Sequence, residues 1–443
     1  MGDEGLFGDL PMQTSGKAFD AGGPRVREPV RDQVELRAVD LDRLIGAEHP
    51  ARVIWGYVRK LDLSSLEQTV RAREHTPGQA PVSPQLLLAL WLYATSEGIR
   101  SARALARLCE SHDAYRWLCG GVSVNYHGLA DFRTADPELL DRLLTENVAT
   151  LSAANVINLD EVVQDGVRVR ASAGAASFRR SKTLHKELKK AQRRVAQLRQ
   201  EVNDDPDASN RRIRAAGERA AREREARVSA ALAKLAEIEA ERERRAKTNK
   251  KQVAKQKEPR ASTTDPQARI MKMADGGYRP SYNCQLGTVA EGQIVVAVEA
   301  TAVGSDRGLL RPMLAQIERR YGRRPRRYLV DGGFNKNDDT EWAADLGVNV
   351  YGPPIRSKHN TAPYAPRHDD GPGVAAWRKR MNSPHGKAVY KRRSMGECIN
   401  ARFRHWGLRQ LLVRGRLKVQ AVLNMFALAN NILQSYRLIQ IAG

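Results

Sequence analysis

Between Val34 and Ala154, apolar positions recur every three or four residues, the period of helices that bury one face. SPQLLLALWLYATSEG has an apolar face behind a Ser-Pro start and meets a stop signal at Gly98. SARALARLCESHDAYRWLCGG reads as two short helices joined near Ser111 to Asp113, resembling a helix-turn-helix arrangement. Arg100, Arg103 and Arg107 are spaced to share one face of it. In EVVQDGVRVRAS, from Glu161, the period shortens. Val162, Val167 and Val169 among polar residues predict a strand broken by Gly166 as a bulge or bend.

Residues 179–260 differ in kind. Leu184, Leu188, Ala191, Val195, Leu198 and Val202 alternate spacings of four and three, a heptad seam. NDDPDASN supplies a turn, and Val228, Ala231, Leu235 and Ile238 resume the seam. The pattern predicts a helical hairpin folded as an antiparallel coiled coil. Its charges either solvate it or line a DNA path or dimer contact.

Strand patterns return at Tyr282 to Thr301, as two strands joined at Ala290 to Gln293. A helix is expected from Asp306 to Tyr321, then a short buried strand in RRYLVDGGF that ends at Asp331. A helix near Asn337 to Leu346 and a strand in VNVYGPP follow. Pro353 to Gly386 reads as a basic loop rich in Pro and Gly, and the last helices start near Lys387. The expected class is α/β. An all-α N-terminal domain (31–155) precedes a ribonuclease-H-like domain (156–178 and 261–443) interrupted by the hairpin (179–260). Residues 1–30 read as a disordered tail.

Charge changes the picture. Lys and Arg number 74 against 51 Asp and Glu, a net +23. Residues 179–260 carry 26 basic against 13 acidic side chains. Such an excess favours a polyanion, because neutralised phosphates release condensed counterions. The four cysteines have no zinc-like spacing and are too few for a disulfide scaffold, which fits a reducing cytoplasm. The N-terminus lacks the pattern of a signal peptide, and no apolar run approaches the roughly 20 residues that span a bilayer.

Three acids stand out against that charge. Asp165 lies on the first strand and Asp331 at the carboxyl end of a later one, where open α/β sheets bind ligands. Glu397 is the lone carboxylate of the basic stretch VYKRRSMGECINARFRHWGLRQ. Converging carboxylates suit two Mg²⁺ ions, hard cations that take oxygen ligands and serve phosphoryl transfer; Mn²⁺ is a plausible substitute. Gly166, Gly332 and Gly333 leave room for close approach. Asp160, the main rival to Asp165, would face the other side of the strand; Glu161, Asp265, Asp275, Asp306 and Asp338 are weaker candidates for the ligands, with Asp265 and Asp306 expected to support structure or DNA contact. Trp342, Trp377 and Trp406 fit core packing better than stacking on a flipped base.

The chain resembles bacterial insertion-sequence transposases of the DDE class over nearly its whole length. The resemblance rests on VVQDGVRVRASAG, STTDPQARIMKM, YLVDGGF and the N-terminal helical region. It rests also on a Tyr-x2-Arg-x3-Glu-x6-Lys motif, met by Tyr390, Arg393 and Glu397, with Arg404 where Lys is usual. The resemblance implies metal-dependent cleavage at transposon ends and strand transfer by Asp165, Asp331 and Glu397. Spacing along one helical face would let Arg393 and Arg404 hold DNA phosphates, with Tyr390 hydrogen-bonding or stacking. The expected partners are double-stranded DNA (terminal inverted repeats and target) and further copies of the chain on that DNA, with no membrane. Two rival readings remain. A DNA-binding regulator or inactive descendant explains the charge but gives the acids no role; a stand-alone nuclease would cut without joining.

Overall fold

The computed structural model describes residues 38–69, 80–204, 211–248, 258–354 and 362–442. The expected tail at 1–30 and most of the NDDPDASN turn lie outside them. The chain divides into a unit of Met1–Asp40 and a unit of Leu41–Gly443, and the elements below belong to the second.

Among the described residues, a 3-10 turn at Leu41–Leu44 is followed by seven α-helices: α1 Pro50–Val58, α2 Ser64–Thr69, α3 Pro84–Ser96, α4 Ala102–Ser111, α5 Asp113–Cys119, α6 Tyr126–Ala135 and α7 Pro137–Ala153. Helix α3 is buried from Leu86 to Thr95 and forms the centre of this layer. A single residue, His112, joins α4 to α5, and its ring accepts the Ala114 N–H that would otherwise be orphaned at the helix start. Arg100 precedes the Ser101 cap of α4, so only Arg103 and Arg107 share the expected helical face.

A six-stranded sheet follows. Strands β1 (Glu161–Arg170), β7 (Arg327–Val330) and β8 (Asn349–Tyr351) run parallel, and β5 (Tyr278–Val289) pairs antiparallel with the other side of β1. The far side of β5 pairs with β4 (Arg269–Lys272) and β6 (Val295–Thr301). Strand β1 keeps continuous register with β5 through Gly166, so the expected bulge there is absent. Close packing explains the glycine instead: a Cβ would lie 2.4 Å from Gln285 Nε2 and 2.8 Å from Asp306 Oδ1. The irregularity falls at Gly287/Thr288, between β5 and β6.

Helices α8 (Ser181–Asp204) and α9 (Arg211–Thr248) leave the sheet between β2 (Phe178–Arg179) and β3 (Ala261–Ser262). The two short strands pair and close the base of the excursion. Leu184, Val228, Ala231 and Leu235 form a small core of their own, with Leu188 and Ile238 packed against it. Ion pairs Arg224–Glu187 at 2.8 Å and Arg199–Glu218 at 3.7 Å show that the two helices run antiparallel.

After β6 come α10 (Leu310–Tyr321), α11 (Asn337–Asp345), α12 (Pro372–Asn382), α13 (Pro384–Lys391), α14 (Ser394–His405) and α15 (Arg416–Ala442). Helix α10 starts later than expected, at Leu310. Part of the expected loop Pro353 to Gly386 is helical: Pro372 opens α12, and Val374, Trp377 and Met381 bury a stripe at helical spacing. The expected single C-terminal face is also divided. Tyr390 ends on α13, the chain turns at Arg392–Arg393, and Glu397 and Arg404 ride on α14.

Helix α15 joins two cores. Val419, Val422, Leu423 and Phe426 pack with the sheet, while Ala421, Met425, Leu428 and Ile432 pack with the N-terminal helices. Its amide side chains also cover the free edge of β6. Asn431 accepts from Val295 N and donates to Val295 O, both at 2.8 Å. Gln420 accepts from Ala300 N at 2.8 Å and donates to Val298 O at 2.9 Å. An edge strand satisfied this way cannot template another chain. Replacing Asn431 with Leu keeps the size but strands two buried backbone groups. Urea unfolding should show a loss of about 2–4 kcal/mol; a loss near zero would mean that these bonds do not hold the edge.

Candidate active site

The parallel register runs from Glu161 opposite Arg327 to Gln164 opposite Val330. One step further along both strands sets Asp165 beside Asp331. Parallel neighbours in register point to the same face, so both carboxylates lie on one side of the sheet. That side is covered by α14. Gly396 makes the approach possible: a Cβ there would lie 2.8 Å from Val163 Cγ1 and 3.7 Å from Asp165 Cβ. Glu397 is the next residue.

Each acid is held locally. Asp165 is half-buried; it accepts from Gly166 N at 2.9 Å and from Asn400 Nδ2 at 2.7 Å. Asp331 is exposed and accepts from Gly332 N at 2.6 Å, starting a short 3-10 turn. Glu397 is exposed and accepts from Arg393 Nη2 at 2.5 Å. Gly332 packs near the Pro353 carbonyl, and a Cβ on Gly333 would meet open space.

The electrostatics tie these groups into one cluster. Burial pushes the Asp165 carboxyl above its ordinary value and the charge of Asp331 adds to this, while the Gly166 N–H, Arg393 and Asn400 oppose it. Burial also raises Tyr390, with Asp331 and Glu397 adding and Arg393 opposing. For Arg393, burial acts to lower the pKa, but Tyr390, Glu397 and Asp331 outweigh it and hold the guanidinium above its usual value. The Arg393 guanidinium carbon lies 5.9 Å from the centre of the Tyr390 ring. Asp331 thus acts on Asp165, Tyr390 and Arg393 alike, although 331 lies far from the other three in sequence. Arg404, two turns after Glu397 on α14, is exposed.

Among the described residues, no three His, Cys, Asp or Glu side chains converge as a ready-made metal-ligand set. The cause is visible locally: Glu397 is turned onto Arg393, and each Asp is folded onto the following N–H. The donor chemistry still suits a hard divalent cation. Carboxylate oxygens are its preferred ligands, and a cation would relieve the repulsion between Asp165 and Asp331.

The other acids are engaged elsewhere. Asp160 pairs with Arg323 at 3.6 Å, and Glu161 with Arg327 at 2.6 Å. Asp265 is buried and accepts from the Tyr282 hydroxyl at 2.8 Å. Asp306 accepts from Asn283 at 2.7 Å and Gln285 at 3.0 Å, under the opposite face of the sheet. Asp275 pairs with Arg279 at 2.6 Å, and Asp338 with Lys336 at 3.3 Å. The three tryptophans serve packing. Trp377 is buried and donates to Gly352 O at 3.1 Å, Trp406 stacks on Phe403, and Trp342 lies beneath Arg311. Sequence reasoning missed Asn400, whose signal was its place one turn after Glu397 on the sheet-facing side of α14.

An α/β chain with paired aspartates on adjacent parallel strands and a strongly basic surface has the makings of a protein that works on nucleic acid. A family model described as a transposase DDE domain matches residues 245–432. A second, described as a transposase domain (DUF772), matches residues 39–135. Together the two matches support an insertion-sequence DDE transposase. The DDE match contains Asp331 and Glu397; Asp165 precedes it. No functionally curated protein and no solved structure matches the chain significantly. No helix among the described residues is long and apolar enough to cross a membrane.

The raised carboxyl of Asp165 has a consequence for stability. A folded-state pKa above the unfolded one favours the protonated acid, so the penalty is absent at acid pH and grows as pH rises through the folded value. With divalent cations removed, Asp165→Asn should therefore melt above the wild type at pH 7, and the gap should close towards acid pH. Melting curves in chelator across that range decide it; a variant less stable at pH 7 would contradict the burial argument.

Proposed function

We propose that the chain cuts DNA at the ends of its own element and joins the freed 3′ ends to target DNA. The observation that carries this is the placement of Asp165 beside Asp331 on one face of the sheet, under the helix that bears Glu397. The strand order β4/β6-β5-β1-β7-β8, with β1, β7 and β8 parallel, supports a ribonuclease-H-like catalytic domain into which α8 and α9 are inserted as a coiled-coil hairpin.

Asp165 and Asp331 would hold the divalent cations, Mg²⁺ or Mn²⁺, with Glu397 completing the set after it leaves Arg393. Two such ions lower the pKa of an attacking water and stabilise the leaving oxygen in an in-line displacement. The residues of the chain do the rest. Asn400 fixes the rotamer of Asp165 by donating to one oxygen, and Gly166 N–H holds the other. Arg393, once released, is placed to meet a phosphate, beside the half-buried Tyr390. Arg404 lies seven residues after Glu397 on the same helix, a spacing that would let it meet the same strand of DNA.

In the first step, water attacks the phosphodiester and the 3′ oxygen leaves with a proton. In the second, that 3′-hydroxyl attacks a target phosphodiester and gives up its proton, while the target 3′ oxygen leaves and takes a proton up. The number of phosphodiester bonds is conserved in the second step, so no nucleotide cofactor is needed. The N-terminal helices, with Arg103 and Arg107 exposed on α4, would grip the terminal repeats. Simultaneous action on two ends would take more than one copy of the chain.

The test is incubation with duplex DNA carrying the element's ends and Mg²⁺ or Mn²⁺, followed by strand-resolved electrophoresis. Nicked and joined products are expected. Asp165→Asn, Asp331→Asn and Glu397→Gln should each lose at least about a hundredfold in cleavage while still binding the ends. Full cleavage by all three variants would overturn the site. Binding without nicking by the wild type would favour the regulator reading, and nicking without joining a nuclease.

A further inference from the structure

A second basic site lies away from the carboxylates. A cavity of about 530 Å³ opens between the N-terminal helices and the segment that leads into α15. Five cations line it: Arg100, Arg103 and Arg133 from the N-terminal side, Arg414 and Lys418 from the other. No Asp or Glu is in its lining. Among the described residues, none of the five forms an ion pair, whereas other arginines at the surface do, as Arg327 and Arg392 show with Glu161.

The cations are held in place without being neutralised. Arg100 donates through Nη1 to the Gln410 carbonyl at 2.6 Å, and Arg133 through Nη1 to the Arg100 carbonyl at 2.7 Å. Arg414 donates through Nε to the Ser172 carbonyl at 3.2 Å. Arg133 stacks 4.7 Å from the centre of the Trp91 ring, and Arg103 5.0 Å from that of Tyr126. The Arg133 Nε is a buried donor with no acceptor among the described residues. Burial, with the charge of Arg100, pushes Arg133 down to about 10, which still leaves it cationic at neutral pH. Fixed guanidiniums with spare donors and no counter-charge suit an oxyanion.

We propose that this cavity clamps the phosphate backbone of the element's end duplex, tying DNA held by the N-terminal helices to the chain that follows the Glu397 helix. The inference rests on the DNA-cutting reading for the identity of the anion. Two features favour a backbone over a free phosphate. Arg103, Arg414 and Lys418 are exposed, so a strand can reach the cavity from outside. Arg107, also exposed, continues the line of charge one turn along α4. The two walls belong to different parts of the fold, and one of them is only six residues from Leu408, which packs in the sheet core after α14.

The experiment is fluorescence anisotropy of a labelled end duplex with the full chain, from about 50 to 300 mM salt. The variant Arg103→Gln/Lys418→Gln removes two exposed charges and should melt like the wild type. Its affinity should fall about tenfold or more, and the slope of log K against log salt should shrink by about 1–2. A control at the exposed Arg59 and Lys60, both to Gln, should change affinity less than about threefold. Equal losses in both double variants would make the effect one of bulk charge and overturn the clamp. So would unchanged binding by the cavity variant. Inorganic phosphate that raises the melting temperature of the wild type only, with DNA binding unaffected by the variant, would identify a free-anion site instead. If the wild type binds no duplex, the DNA-cutting reading fails with it; if it binds and cuts while the cavity variant is indistinguishable, only the clamp fails.

Discussion

Parallel pairing of β1 with β7 is the constraint on which the candidate site depends. A slip of one residue would turn Asp331 to the opposite face and leave Asp165 without its neighbour. The register is locked from beneath. The Tyr328 hydroxyl donates to Gln164 Oε1 at 2.8 Å, and Gln164 Nε2 donates to Gln285 Oε1 at 2.8 Å and to the Leu309 carbonyl at 3.1 Å. All three side chains are fully buried, so a slip would strand several polar groups at once. Gly166 belongs to the same device, because any side chain there would displace Gln285 and Asp306. The polar layer under the sheet thereby fixes the acids above it.

The second organising element is α15. It shares its faces between the sheet core and the N-terminal core, and its amides close the edge of β6. The N-terminal helices are therefore joined to the sheet through a common helix as well as through the chain. The basic cavity lies at the start of that helix, where both parts supply cations. DNA bound there would be positioned with respect to the sheet by the packing of one rigid element.

Much of this was legible in the sequence. Alternating valines marked β1, and the short apolar run ending in Asp331 marked β7, because strand periodicity and a terminal Asp-Gly-Gly are local signals. The heptad seam from Leu184 and from Val228 was also local; Leu184, Val228, Ala231 and Leu235 of it are buried together, with Leu188 and Ile238 partly buried beside them. What was illegible depended on distant contacts. Gly166 looked like a bulge because its packing partners, Gln285 and Asp306, are far along the chain. Arg100 looked helical by spacing, but Ser101 caps α4 after it. The break at Arg392–Arg393 was hidden by motif spacing that a continuous helix would satisfy equally well. The stripe of Val374, Trp377 and Met381 was masked by the Pro and Gly around it. Arg133 carried no signal, since only folding reveals that Trp91 and Arg100 surround it.

The proposed chemistry requires Asp165 and Asp331 to act together on a cation. Crystals of the chain soaked with Mn²⁺ and measured at the manganese absorption edge test this directly. The account predicts anomalous density in contact with both carboxylates, with Glu397 turned away from Arg393. Manganese bound only at other acids, or none at this pair at saturating concentration, would contradict it.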